Sequence, residues 1–143
     1  MTDTFDLERF VRAQKGTYDD ALAELQRGKK TGHWMWFVFP QLRGLGRSTM
    51  SERYGISSTE EAKSYLEHPL LGPRLRECTE VVNAIEGRTA LQIFGSPDDL
   101  KFHSSMTLFH LVSPVTEQFA AALNKYFEGR DDQLSLNLLG SLP

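Results

Sequence analysis

Residues 32–41 read Gly-His-Trp-Met-Trp-Phe-Val-Phe-Pro-Gln and hold both tryptophans of the chain and two of its nine phenylalanines. Six consecutive large apolar side chains between a glycine and a proline suit a buried core segment, and they equally suit an aromatic binding wall. Periodicity leaves two conformations open: a short helix with Trp34, Phe37 and Val38 on one side, or a strand with Trp34, Trp36 and Val38 alternating. A strand needs a partner. The chain offers no second convincing alternating run and no Asn-Gly or Asp-Gly hairpin signal, so the stretch is read as helix and the fold as all-α with no significant sheet.

Working outward, the same helical period recurs on both sides. Asp6 is placed to cap a first helix carrying Leu7, Phe10 and Val11, and a second carries Tyr18, Ala21, Leu22 and Leu25 before a stop at Gly28. Downstream, residues 41–48 read as a loop, followed by a short helix near Met50 to Tyr54 that ends at Gly55. Ser58-Thr59-Glu60-Glu61 has the spacing of a capping box and opens a helix burying Ala62, Tyr65 and Leu66. Beyond the His68–Pro73 boundary, Leu75, Cys78, Val82 and Ile85 form a stripe, and Leu91, Ile93 and Phe94 lie in a short turn. Ser96-Pro97 is expected to cap a helix running from Pro97 to about Val112. Another helix buries Phe119, Ala122, Leu123, Tyr126 and Phe127, and Asp131 or Asp132 caps a last leucine-rich segment that must dock on the body. With no internal repeat or linker, residues 1–143 are read as one compact multi-helix domain of about seven to nine helices.

Composition narrows the function classes. Hydrophobic residues at 40% and charged residues at 24% match an ordinary globular protein and are too apolar for a disordered chain. A net charge of -3 supplies no global field toward nucleic acid or an anionic membrane. The first residues lack a signal peptide's basic flank, and no apolar run reaches the ~18 residues a spanning helix requires, so a cytoplasmic, monomeric protein is expected. Cys78 has no partner for an internal disulfide and sits among Leu75, Val81 and Val82 as a small buried hydrophobe.

The search for chemistry yields few positives. The four histidines have no cysteine cluster and no His-x-x-x-His pair, and His103 and His110 stand ~10 Å apart on a helix, so neither a metal nor a cofactor is expected. Gly44-x-Gly46 with Arg47-Ser48 completes neither phosphate-binding spacing and reads as an ordinary loop. The helix after Ser96 is unusual because Lys101, His103, Ser104, Ser105, Thr107 and His110 interrupt its apolar stripe. Ser104 and Thr107 border the buried face, where hydroxyls bond the backbone one turn back. Lys101, near a core edge, either snorkels to water or meets an anion, and His103 and His33 carry the side chain most easily tuned near neutral pH.

His33 to Leu42 and Asp98 to Phe109, with Phe5 to Phe10 and Leu70 to Leu75, closely resemble a bacterial family filed as domain of unknown function 1810 and sometimes labelled calpastatin. The resemblance covers essentially the whole chain and implies an all-helical single domain without an established reaction. The calpastatin label describes protease inhibition by a disordered chain and does not suit a sequence that reads as globular.

Three readings follow. In the first, the chain is a non-enzymatic interaction module that binds a protein partner through a groove beside residues 33–43, where Trp, Phe, Met and Arg cluster. In the second, it is an enzyme or a binder of a small anionic, nucleotide-like ligand between residues 30–43 and 98–103. There Lys30, Arg43 or Lys101 would hold the anion, Trp34 or Trp36 would stack on a ring, and His33 or His103 would exchange a proton. In the third, both motifs are simply core and polar braces. The residues to locate are Lys30, His33, Trp34, Trp36, Gln41, Arg43, Lys101 and His103.

Overall fold

The computed structural model describes residues 3–141, and these form ten helices: α1 (Glu8–Gln14), α2 (Tyr18–Gln26), α3 (Met35–Val38), α4 (Thr49–Tyr54), α5 (Thr59–Glu67), α6 (Leu71–Asn83), α7 (Ala90–Phe94), α8 (Asp98–Val112), α9 (Glu117–Phe127) and α10 (Gln133–Ser141). The fold is all-α, as expected, and the helix beyond the expected range is α7, whose residues read as a turn. What the apolar pattern hid is a reciprocal cap: Thr89 accepts from the Gln92 backbone N–H while the Gln92 side chain accepts from the Thr89 N–H. Among the described residues the only extended pairing is an isolated parallel bridge between Leu42 and Ile56.

The longest helix, α8, is packed on several sides, against α5, α7, α9 and α10, while α6 lies against α2, α5 and α9. This explains why polar residues interrupt its stripe. Neighbours cover most of the helix, so Ser104, Ser105 and Thr107 are buried with Phe102, Met106, Leu108 and Phe109, while Leu100 and Leu111 stay exposed. Ser104 Oγ donates to the Leu100 carbonyl and Thr107 Oγ1 to that of His103, the back-bonding the sequence led us to expect.

The stretch at 32–41 forms the short helix α3, which rests on α1 and α4. Trp34, Met35, Phe37, Val38 and Phe39 are buried, and Trp36 is half-buried. Its two phenylalanines join separate aromatic groups. Phe37 meets Tyr54 edge-on at 5.4 Å, and Tyr54 lies 5.9 Å from Phe10. Phe39 meets Phe94 and Phe102 edge-on at 5.9 and 5.1 Å, and those two rings stack at 4.6 Å. Offset and edge-on ring pairs add about 0.5–1.5 kcal/mol each beyond the apolar area they bury, so α3 is tied to both halves of the core.

Buried polar side chains fix the segment before α3. Glu24 Oε1 accepts from Thr31 N at 2.6 Å, Gly32 N at 2.8 Å and Trp34 Nε1 at 3.0 Å. Burial raises the Glu24 pKa, but the hydrogen bonds from Gly32, Thr31 and the Trp34 indole outweigh it and hold the carboxyl below its ordinary value. At the other end of α3, Gln14 Nε2 donates to the Phe37 carbonyl at 2.7 Å. Further along, Gly72 permits a close approach between α5 and α6. A Cβ there would stand 2.0 Å from the Leu66 carbonyl oxygen.

Four cap assignments need correction or refinement. Asp6 does not cap α1. It sits in the left-handed region at φ 52, and Asp3 accepts from the backbone N–H groups of Leu7 and Glu8 instead, at 2.8 and 2.9 Å. Ser96 does not cap α8, whose N-cap is Pro97 with no side-chain bond; Asp98 and Asp99 supply the first-turn negative charge that a helix N-terminus favours. At α5, Ser58 Oγ accepts from Glu61 N as expected, but the Glu61 carboxylate turns away to Ser57 and to Arg9. Of the two aspartates proposed for α10, Asp132 makes the cap, accepting from Ser135 N at 3.1 Å.

Candidate functional site

The segments 30–43 and 98–103 do face each other, and their meeting point is Asp98. Its two carboxylate oxygens take Lys30 Nζ at 2.7 Å and Lys101 Nζ at 3.2 Å. Each lysine also lies over an indole: Lys30 is 5.2 Å from the Trp34 ring centre, and Lys101 is 4.6 Å from that of Trp36. The Lys30 side chain is 7% exposed and Lys101 19%, so neither is a free surface cation. Two ammonium groups share one carboxylate. Lys101 is the more exposed of the two, and the Asp132 carboxylate lines the same depression as Lys101.

Beside this cluster lies a depression of about 310 Å³, walled by Gln41, Leu45 and Gly46 on one side, by Pro97, Leu100, Lys101 and Ser104 of the α8 end on another, and by Asp132 and Leu134 at the start of α10. A second, of about 410 Å³, continues from it along α10 and shares Leu45 and Leu134, adding Gly44, Arg47, Asn137 and Leu138. Together they make a groove with Lys101 toward one end and Arg47 toward the other. Leu100 and Leu134 are 61% and 68% exposed, which is unusual for leucines beside a packed core. Asp132, the acidic member, accepts from Ser104 Oγ and Ser135 Oγ at 2.8 and 2.6 Å, so it serves to tie α10 to α8.

The structure brings together Lys30, Trp34, Trp36, Gln41 and Lys101, and leaves the other expected site residues elsewhere. Trp34 is 1% exposed, with its indole N–H on Glu24, and cannot stack on a ligand in this conformation. His33 is exposed and makes no side-chain hydrogen bond among the described residues. His103 Nε2 lies 2.7 Å from the Arg130 carbonyl, and its ring stacks flat on Phe127 at 3.9 Å, which braces the turn after α9. Arg43 points to the opposite side of the loop, where Nε donates to the Glu52 carbonyl and Nη2 to that of Gly55. The residues that sequence reasoning missed are Asp98, Leu100, Asp132 and Leu134. Asp98 had a signal, because a lysine placed three residues later at a core edge calls for an anion on the same helix face.

No group of three or more His, Cys, Asp or Glu side chains converges as a metal site among the described residues, and no helix among them is long and apolar enough to cross a membrane. Cys78 is fully buried, and burial pushes its thiol up to about 12, which removes it from nucleophilic chemistry near neutral pH.

Comparison with other proteins gives two findings. A family model described as a protein of unknown function, DUF1810, matches residues 4–139. The structure of the conserved hypothetical protein Rv1873 from Mycobacterium tuberculosis is similar to this chain at 56% sequence identity with a TM-score of 0.96, over 98% of this chain and 100% of that one. No curated protein matches.

Proposed function

The chain belongs to the DUF1810 family of proteins of unknown function, and for this member we propose a non-enzymatic role: the groove between the 41–47 loop, the start of α8 and α10 receives a short apolar segment of a protein partner, flanked by acidic residues. The observation that carries this reading is the exposed pair Leu100 and Leu134 beside a groove with Lys101 and Arg47 toward its two ends. An apolar centre with charged surroundings is the ordinary anatomy of a peptide-binding surface, and the flanking cations favour acidic neighbours in the partner. Fully covering one leucine side chain is worth about 1.5–3 kcal/mol, much of which association entropy offsets, so the expected complex is a transient one.

Selection from a random peptide library against the whole protein tests this. Enriched peptides should share one or two large apolar residues beside Asp or Glu, and should lose binding to a Leu134→Asp variant. An absence of enrichment, or equal binding to that variant, refutes the reading.

A second reading is supported by the two ammonium groups that share Asp98, of which Lys101 lines the groove. In it the groove holds a small anionic ligand against Lys101. A nucleotide that raises the melting temperature of the wild type but not of Lys101→Gln would support this reading over the first.

A further inference from the structure

On another face, α1, the 41–44 loop and α4 enclose a depression of about 340 Å³ that shares no lining residue with the groove; it is lined by four arginines, Arg9, Arg12, Arg43 and Arg53, with Asp6 and Glu52. Like charges do not gather on an acidic chain without compensation, and the compensation here is uneven. Arg9 is 8% exposed and fully used: it pairs with Glu61 at 2.8 Å and donates to the carbonyls of Phe5, Asp6, Arg53 and Gly55. Arg12 meets Asp6 only at 3.8 Å, with both side chains mostly exposed, a pairing that contributes little. Arg43 and Arg53 have no carboxylate within ion-pair distance among the described residues. Among the lining side chains four guanidiniums stand against the two carboxylates of Asp6 and Glu52, while Glu61 and Asp3 act on Arg9 from outside the lining.

Arg43 is also held in place. Its Nε donates to the Glu52 carbonyl at 3.1 Å and its Nη2 to that of Gly55 at 3.2 Å. Arg9 Nη2 donates to the same Gly55 oxygen at 3.0 Å, so the two guanidinium nitrogens lie within 6.2 Å of each other. Gly55 makes this approach possible, since a Cβ there would stand 2.6 Å from Arg43 Cβ. Two backbone acceptors fix the plane of the Arg43 fork and leave Nη1 without an internal partner among the described residues. A guanidinium oriented in advance loses little freedom on meeting an oxyanion, and its paired N–H groups match phosphoryl oxygens better than a lysine would.

We propose that this depression binds a dianionic phosphoryl group, with Arg43 as the fixed donor and Arg12 and Arg53 closing over the ion. Arg12 would exchange its weak contact with Asp6 for the incoming oxygens. Free phosphate and phosphate carried on a small molecule share this chemistry.

Thermal melting of the full chain in inorganic phosphate, against sodium chloride at matched ionic strength, tests the assignment, with phosphoserine as a parallel titrant. The wild type should melt higher in phosphate than in chloride, saturably, and Arg43→Gln should bind about tenfold more weakly. The double variant Arg12→Gln/Arg53→Gln removes surface side chains only, and it should show the same loss should Arg43→Gln fold poorly. Tighter binding of phosphoserine marks a carried phosphate as the ligand, and equal or weaker binding marks the free ion. Equal responses to phosphate and chloride, an unchanged affinity in the double variant, or a loss confined to Lys101→Gln in the groove would each overturn the proposal.

Discussion

Glu24 offers the sharpest test of how the residues before α3 are held. Its Oε1 accepts three hydrogen bonds within 3.0 Å, and the residue is 7% exposed. In Glu24→Ala the backbone N–H groups of Thr31 and Gly32 can recover water in part, because both residues lie toward the surface. The Trp34 indole N–H cannot, since that side chain is 1% exposed. Leaving one buried donor unmet costs about 1–3 kcal/mol, and losing the charge-assisted part of the other two bonds adds roughly 1 kcal/mol each, for a total of about 3–5 kcal/mol. For a chain of this length that lowers the melting temperature by roughly 10–17 °C. Glu24→Gln keeps an acceptor oxygen and the volume, so it should lose only about 1–2 kcal/mol. The pH dependence has a definite sign. Because the hydrogen bonds hold the folded Glu24 below its ordinary value, its contribution is present above the unfolded pKa and disappears as pH falls through the lower, folded one. Urea unfolding followed by tryptophan fluorescence should therefore show a wide gap between wild type and Glu24→Ala at neutral pH that narrows in acid. A loss below about 0.5 kcal/mol at neutral pH, or a gap independent of pH, would refute the reasoning.

Other perturbations follow from the same contacts. Glu61→Ala strands the buried Arg9 guanidinium and should cost about 3–5 kcal/mol in urea unfolding, more than a surface ion pair could explain. Lys30→Ala should destabilise more than Lys101→Ala, which should stay within about 1 kcal/mol, because Lys30 is the more deeply buried and still neutralises Asp98 when Lys101 is absent; thermal melting of the two variants compares them. Cys78, with its thiol pushed up to about 12 by burial, should resist a thiol-specific reagent in the folded protein and react at once in denaturant.

Much of the architecture was legible because helices bury stripes, and stripes are local. Helices α5, α6, α8 and α9 stand close to where the apolar period and the punctuation by Gly and Pro place them. The errors arise where a side chain outside the expected pair makes the bond. Asp6 has the right residue type and position to cap α1, yet its backbone takes a left-handed turn and Asp3 reaches over it. Glu61 completes a capping box in sequence, but Arg9, more than fifty residues earlier, claims its carboxylate. At the site, a carboxylate on the helix face of the ill-placed Lys101 was readable. The position of Arg43 was not, because it depends on the pairing of Leu42 with Ile56, which no local pattern encodes. The exposure of Leu100 and Leu134 was equally hidden, since on a periodic pattern each looks like one more core leucine.

The four-residue length of α3 has a consequence for what holds it in shape. A single helical turn cannot sustain itself in water, because nucleation costs more than one turn of backbone bonds returns. Its Phe39 amide bonds to Met35 only while Phe37 is seated against Tyr54 and Phe39 against Phe94 and Phe102. The most apolar segment of the chain is therefore helical only by virtue of the rings it packs against. Hydrogen exchange at the Phe39 amide would then report the opening of the whole core rather than local fraying.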